Sequence, residues 1–211
     1  VPLVLVIYRG GENMKLGFDL DEVVINLVDV LIRYIKEEFD LDWTIDNFVK
    51  YDMLENKFHK DIDENNKIAW RAINIVSDID IQMTAKPYEG APAFIRGLKK
   101  EGHSIHFITA RKRGEENKTV KWLRKYKIPF DSVHHIGYGE EKGQLGRVLN
   151  LDFYIDDHEE HLESMYKYKK RWNKGLALMT RPWNVSSYDA SKFVRINNWV
   201  ELRRHLGIHK R

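Results

Sequence analysis

Cysteine is absent from the 211 residues. No disulfide framework and no thiolate metal site can form, and the composition suits a reducing compartment, so a cytoplasmic location is expected. An excess of charge of one sign is also lacking. The formal net charge is +3, too small to mark a dedicated nucleic-acid binder. No apolar run approaches the roughly 18–20 residues needed to cross a bilayer, so no membrane partner is expected. Internal repeats and low-complexity segments are missing too. What is present is 43% hydrophobic beside 32% charged residues, enough for a real core and incompatible with wholesale disorder. The length fits one domain, or one domain carrying an insertion.

Leu3 to Tyr8 is the most apolar stretch near the N-terminus. It lacks a basic leading segment and a small-residue cleavage site, so it does not read as a secretory signal. Residues 9–14 can be encoded by AGA-GGA-GGT-GAA-AAT-ATG, which holds a bacterial ribosome-binding sequence just before an ATG. Met14 is therefore expected to be the natural start and residues 1–13 a translated leader, with an N-terminal edge strand as the alternative.

Lys15 to Phe18 reads as a short buried strand running into Asp19. Asn26 can cap a helix whose apolar stripe is Leu27, Leu31, Tyr34 and Ile35. Asp40 to Asp63 mixes charges and aromatics without strand alternation. Glu64 to Ser77 is a second helix with Ile68, Ala69, Ala72, Ile73 and Val76 on one face. Lys86 to Gly90 punctuates the chain. Helices are then expected over 91–101, 117–126, 144–149 and 199–206, and strands over 104–108, 132–136, 153–155, 176–179 and 193–196. Such alternation means βα units, an α/β fold and a mainly parallel sheet. Residues 28–85 stand out as an all-helical insertion after the first strand.

Three polar clusters follow strands: Asp19-Leu20-Asp21-Glu22-Val23, Thr109-Ala110-Arg111 and Asp156-Asp157. Ligands of open parallel sheets bind at the carboxyl ends of strands, so all three fall on the edge where a site is expected. One D-x-D alone is a common turn or helix cap; three such clusters in order, each behind an apolar strand, point to chemistry.

At these residues the chain resembles the haloacid dehalogenase superfamily. Its four motifs look like G-F-D-L-D-E-V (17–23), F-I-T-A-R (107–111), Lys142 and Y-I-D-D (154–157). The resemblance covers residues 14–211 and implies a Rossmann-like core (14–27 and 86–211) with a C1 helical cap (28–85). Further strings are similar to the 5′-deoxyribonucleotidase branch: Lys86–Ala91, T-V-K-W-L-R-K-Y-K-I-P-F-D (119–131), R-P-W-N (181–184) and R-I-N-N-W (195–199). Glu22 departs from the pattern, standing where a glycine is common.

The resemblance implies a Mg²⁺-dependent phosphatase acting on a small phosphate ester, a nucleoside 5′-monophosphate by its branch. Asp19 is implied as nucleophile, already ionised and in need of no base, forming an aspartyl-phosphate. Asp21 is implied as the general acid that protonates the leaving oxygen and then deprotonates water. Mg²⁺ prefers hard oxygen ligands, and the implied set is Asp19, the Asp21 carbonyl and Asp156 or Asp157. Thr109 and the Ala110 N–H would bind phosphoryl oxygens, and Lys142 would offset their charge. Arg111 touches substrate or cap, or pairs with an acid. Trp70 lies roughly 130° from the apolar stripe of its helix, taking 100° per residue, and is a candidate to stack on a substrate base.

Other signals have simpler readings. His134-His135 and His158/His161 can be zinc ligands but are expected to be solvated or helix-capping. Tyr166 to Lys174 interleaves cations and aromatics, as single-strand binders do, yet suits the outer face of a helix after the fourth motif. Rival functions are the same chemistry on another phosphomonoester, a phosphatase of nucleic-acid 3′ ends, and a non-catalytic binding protein on this fold.

Overall fold

The computed structural model describes residues 13–169, 172, 174–186 and 192–208; the leader-or-strand segment, through residue 12, lies outside them. Six strands form one sheet: β1 (Lys15–Phe18), β4 (Ser104–Thr109), β5 (Ser132–His135), β6 (Phe153–Asp156), β7 (Gly175–Met179) and β8 (Val194–Ile196). Their order is β5-β4-β1-β6-β7-β8 and every pairing in the sheet is parallel. This is the doubly wound order, whose switch point lies between β1 and β6. The strand order reverses there, leaving a crevice at the carboxyl ends.

Period-two alternation divides the strand residues between two cores. Phe18, Phe107, Phe153 and Ile155 pack with Ile95 and Leu98 of α4 (Ala91–Lys100), Trp122 of α5 (Glu116–Lys125) and Leu202 of α8 (Trp199–His205). On the opposite face Ile108, Tyr154, Leu176 and Leu178 meet Leu162 and Met165 of α7 (Glu159–Tyr168) and Leu145 of α6 (Lys142–Val148). Helices on both faces of a parallel sheet make three layers, the expected α/β class.

Between the first sheet strand and α4 the chain is α-helical over 27–39, 62–77 and 79–82, whereas residues 40–61, expected as part of an all-helical insertion, are irregular apart from two 3₁₀ turns, Ile45–Asn47 and Met53–Glu55. Asn26 caps α1 (Leu27–Phe39) by accepting from the Asp29 amide, and Asp61 caps α2 (Ile62–Ser77) through the amides of Asp63 and Glu64. α3 (Ile79–Gln82) follows. Val28, Leu31, Ile35, Ile68, Ala69, Ala72 and Ile75 bury against each other and against Phe48 and Phe58, forming a cluster of their own. Ile75 is buried in α2, whereas Ile73 of the expected stripe is half-buried. The segment joins the core through two-residue strands, β2 (Ile25–Asn26) and β3 (Lys86–Pro87), paired antiparallel. Lys86-Pro87, expected as punctuation, is one of these strands.

Candidate active site

Asp19 follows β1, Thr109 ends β4 and Asp156 ends β6, so neighbouring strands deliver them to one crevice. Two glycines allow the close packing beneath it. A Cβ on Gly17 would stand 2.5 Å from the Leu151 side chain and 2.7 Å from the Tyr154 ring. With glycine there, Tyr154 is fully buried and its single hydroxyl hydrogen lies between two acceptors, the Ile108 carbonyl (3.1 Å) and the nearer Asp156 Oδ2 (2.9 Å). A Cβ on Gly143 would collide with the Ser164 backbone. Without one, α6 approaches α7 closely and its first residue, Lys142, is buried in the crevice.

Lys142 Nζ donates to Asp19 Oδ1 (2.6 Å) and Asp156 Oδ2 (2.8 Å). Asp156 Oδ1 accepts from the His158 amide (3.0 Å) and pairs with His161 Nδ1 (3.1 Å). Both oxygens of Asp156 are thus engaged within the protein. Asp157 differs: its Oδ2 accepts from Trp183 Nε1 (3.0 Å), and its backbone carbonyl from Asn184 Nδ2 (2.8 Å).

Asp19, Asp156 and Asp157 can each place one oxygen within 4.8 Å of the others, all three buried. Burial raises the Asp19 carboxyl to about 8, helped by Asp156 and Asp21 and opposed by Lys142. Burial and then the Asp156 and Asp19 charges push Asp157 well up. Burial also acts on Asp156, but Lys142 and His161 outweigh it and hold that carboxyl far below the usual range. For Lys142, burial is outweighed by Asp156 and Asp19, which hold the ammonium above its usual value. Three buried acids around one lysine are short of positive charge, and oxygen-only donors of this kind fit a hard divalent cation.

The Arg111 side chain is 2% exposed and binds Asp21 side-on, Nη2 to Oδ1 at 2.5 Å and Nε to Oδ2 at 2.9 Å. Of the roles open to Arg111, pairing with an acid is the observed one, and the acid is Asp21 itself. Thr109 Oγ1 accepts from the Arg111 amide (3.3 Å), which leaves its hydroxyl hydrogen free to point into the crevice.

Glu22 holds a left-handed φ of 57°, the conformation a glycine would take without strain. The acid is used: Oε1 accepts from the Val28 amide in the first turn of α1 (2.7 Å) and Oε2 from the Tyr88 hydroxyl (2.5 Å). Burial raises Glu22 to about 7 despite those bonds. Glu22 therefore ties the first motif to both ends of the helical segment.

Trp70 is 56% exposed on α2, outside this hydrogen-bonded constellation. From residues 28–85 the aromatic that reaches it is Tyr51, whose ring stacks on His158 at 3.7 Å and 18°. Tyr51 keeps 45% of its surface open, yet burial around its phenol, followed by the charges of Asp157, Asp156, Asp19 and Asp21, pushes that phenol well above its usual value. Trp43 and Phe48 are packed in the helical segment's own cluster. Among the described residues the histidines form no metal-ligand group, but neither are they merely solvated: His135 is buried between Thr119 and the Lys112 carbonyl. In the 166–174 run, Lys167 and Tyr168 both contact Glu141; residues 170, 171 and 173 lie outside the described ones.

A doubly wound parallel sheet with acids after the two strands at its switch point and a buried lysine between them defines a haloacid dehalogenase-like hydrolase. Solved structures agree on the fold: a dehalogenase superposes with a TM-score of 0.62 at 12% identity, covering 92% of this chain and 96% of that one. The HAD-hydrolase YfnB from Bacillus subtilis, bound to magnesium, superposes at 0.57 and 13% identity, covering 93% and 100%. The family model described as "5' nucleotidase, deoxy (Pyrimidine), cytosolic type C protein" matches residues 13–210, and the chain belongs to that family. A "Putative nucleotidase" of Oceanobacillus iheyensis is 29% identical over 192 residues, 88% of this chain and 95% of that protein. The chain is thus an enzyme of the nucleotidase and phosphatase class.

Proposed function

We propose that the protein is a Mg²⁺-dependent phosphomonoesterase for nucleoside 5′-monophosphates, deoxy forms favoured, working through an aspartyl-phosphate on Asp19. The observation that carries this reading is the buried Asp19–Lys142–Asp156 bridge beside Asp157. It pairs Asp19, which a bound divalent cation would keep ionised against the burial that raises its carboxyl to about 8, with an ammonium able to offset the charge of the transferring group.

In this reading Asp19, Asp157 and the Asp21 carbonyl hold Mg²⁺. Asp157 is the fourth-motif ligand because Asp156 spends both oxygens on Lys142, Tyr154, His158 and His161. The ion supplies charge neutralisation between the carboxylates and a dianionic phosphate. Lys142, Thr109 Oγ1 and the Ala110 N–H bind phosphoryl oxygens. Asp19 attacks phosphorus and the ester P–O bond breaks as Asp21 gives its proton to the leaving oxygen. Asp21 then takes a proton from the water that releases phosphate and restores Asp19. Arg111 serves this scheme through Asp21 rather than by binding substrate.

Residues 28–85 act as a cap that selects substrate, since the core groups recognise only phosphoryl and metal. Tyr51 and Trp70 are its aromatic candidates. No helix among the described residues is long and apolar enough to cross a membrane, and cytoplasmic action on nucleotide pools completes the reading. The test is phosphate release across nucleotides and sugar phosphates, with Mg²⁺ and with EDTA. Release from nucleoside 5′-monophosphates with Mg²⁺ only is expected; inactivity on every ester would overturn it.

A further inference from the structure

Behind the Arg111–Asp21 pair runs a chain of buried polar groups that the four motifs do not contain. Arg111 Nη1 donates to Thr119 Oγ1 at 3.0 Å. Thr119 Oγ1 lies 3.0 Å from His135 Nε2, and His135 Nδ1 lies 2.8 Å from the Lys112 carbonyl. Thr119 is fully buried, and Arg111 and His135 are each 6% exposed. A carbonyl only accepts, so Nδ1 of His135 carries a hydrogen, and in the neutral ring Nε2 is left to accept. The Thr119 hydroxyl then donates to Nε2 and turns its lone pairs to Arg111. Each hydrogen in the chain has one place to go, so the guanidinium has one orientation.

The backbone around Arg111 is pinned as well. Its carbonyl accepts from the Gly137 amide (3.1 Å), and its amide donates to Thr109 Oγ1 (3.3 Å). The side-on grip on Asp21 therefore fixes the plane of that carboxylate, while the Asp21 side chain keeps 26% of its surface open.

We infer that Thr119 and His135 are positioning residues for Asp21, acting through Arg111. They come from α5 and β5, elements that supply none of the four motifs. Proton transfer to a leaving oxygen needs donor and acceptor at hydrogen-bond reach and aligned. A flexible aspartate at a half-open crevice would not hold that alignment alone. The inference rests on the phosphatase reading given above.

The test exploits the leaving group. Departure of a nucleoside alkoxide needs the Asp21 proton, whereas p-nitrophenolate leaves without one. The quantity to compare is kcat/KM, which reports the steps through departure of the leaving group. Thr119→Val, isosteric and without the hydroxyl, should lower kcat/KM for a nucleoside 5′-monophosphate about tenfold, part of the 10²–10⁴-fold that acid–base catalysis contributes, and for p-nitrophenyl phosphate less than about threefold. Thr119→Ser, which keeps the hydroxyl, should restore the nucleotide value. His135→Leu should show the same split, and carries the test if Thr119→Val does not fold. Equal losses on both esters would make the chain structural, and no loss on either would make it idle; both overturn the inference. Wild-type protein inert on both esters would instead overturn the phosphatase reading, and the inference with it.

Discussion

Replacing Lys142 with methionine isolates the electrostatics at the centre of the site. The ammonium is 1% exposed, 2.6 Å from Asp19 and 2.8 Å from Asp156. At an effective dielectric constant of 20, each contact is worth about 6 kcal/mol of Coulomb attraction. Desolvation takes back several kcal/mol per ion, and removing one partner of a buried pair costs about 3–5 kcal/mol in practice. Methionine fills nearly the same volume with an unbranched chain, so little of that loss would come from a cavity. Urea unfolding in EDTA should therefore show the variant about 3–5 kcal/mol less stable than wild type. Saturating Mg²⁺ should then stabilise the variant more than wild type, because no fixed ammonium opposes the ion. Turnover should fall about 10²–10³-fold, the scale of losing one transition-state charge donor. A variant as stable as wild type in EDTA would show that Lys142 does not hold the two carboxylates.

Asp21→Asn should cut kcat by about 10²–10⁴-fold while Mg²⁺ affinity, read by calorimetry, changes little, because the proposed contact is the backbone carbonyl; an equal collapse of both would refute the acid–base role. Trp70→Ala should lower kcat/KM for a nucleotide about tenfold if the ring stacks on a base and spare p-nitrophenyl phosphate; equal losses would make Trp70 structural, and no loss would leave Tyr51 as the cap aromatic to test. His103 Nδ1 accepts from the Met14 amide at 3.2 Å, and burial lowers this histidine below its usual 6.5. The unfolded chain therefore takes up this proton first, so the His103 contribution to stability is lost as pH drops below 6.5, while the raised carboxyls of Asp19 and Glu22 act in the opposite sense. The difference in melting temperature between wild type and His103→Asn should therefore shrink or reverse as pH falls through this range; a difference that does not change with pH would refute the assignment.

The parts of the fold legible in the sequence were those with local signals. Phe18, Phe107 and Phe153 sit in short apolar runs that end in polar residues, so strand ends and acids could be read together. Asn26 and the i, i+4 spacing of Leu27 and Leu31 marked α1 in the same way. Long-range pairings had no such signal. Arg111 finds Asp21 ninety residues away and His135 finds Thr119 sixteen away; nothing local distinguishes these from solvated side chains. β2 and β3 are two residues each, too short for any alternation to show. Trp183 stood in a string noted only for likeness, yet its indole holds Asp157. Glu22 broke the expected pattern, and the break marks a left-handed turn whose acid is bound at both ends.

The central claim is that phosphate passes through a covalent ester on Asp19. A nucleoside 5′-monophosphate should be mixed with the Mg²⁺-loaded enzyme, quenched in acid within one turnover and reduced with tritiated borohydride, whose hydride displaces the phosphate and leaves tritium on the side chain. Mass spectrometry of the peptide spanning β1 should then show homoserine at position 19, formed from an aspartyl-phosphate. Turnover with no trapped label, or with label on any other residue, would contradict the account.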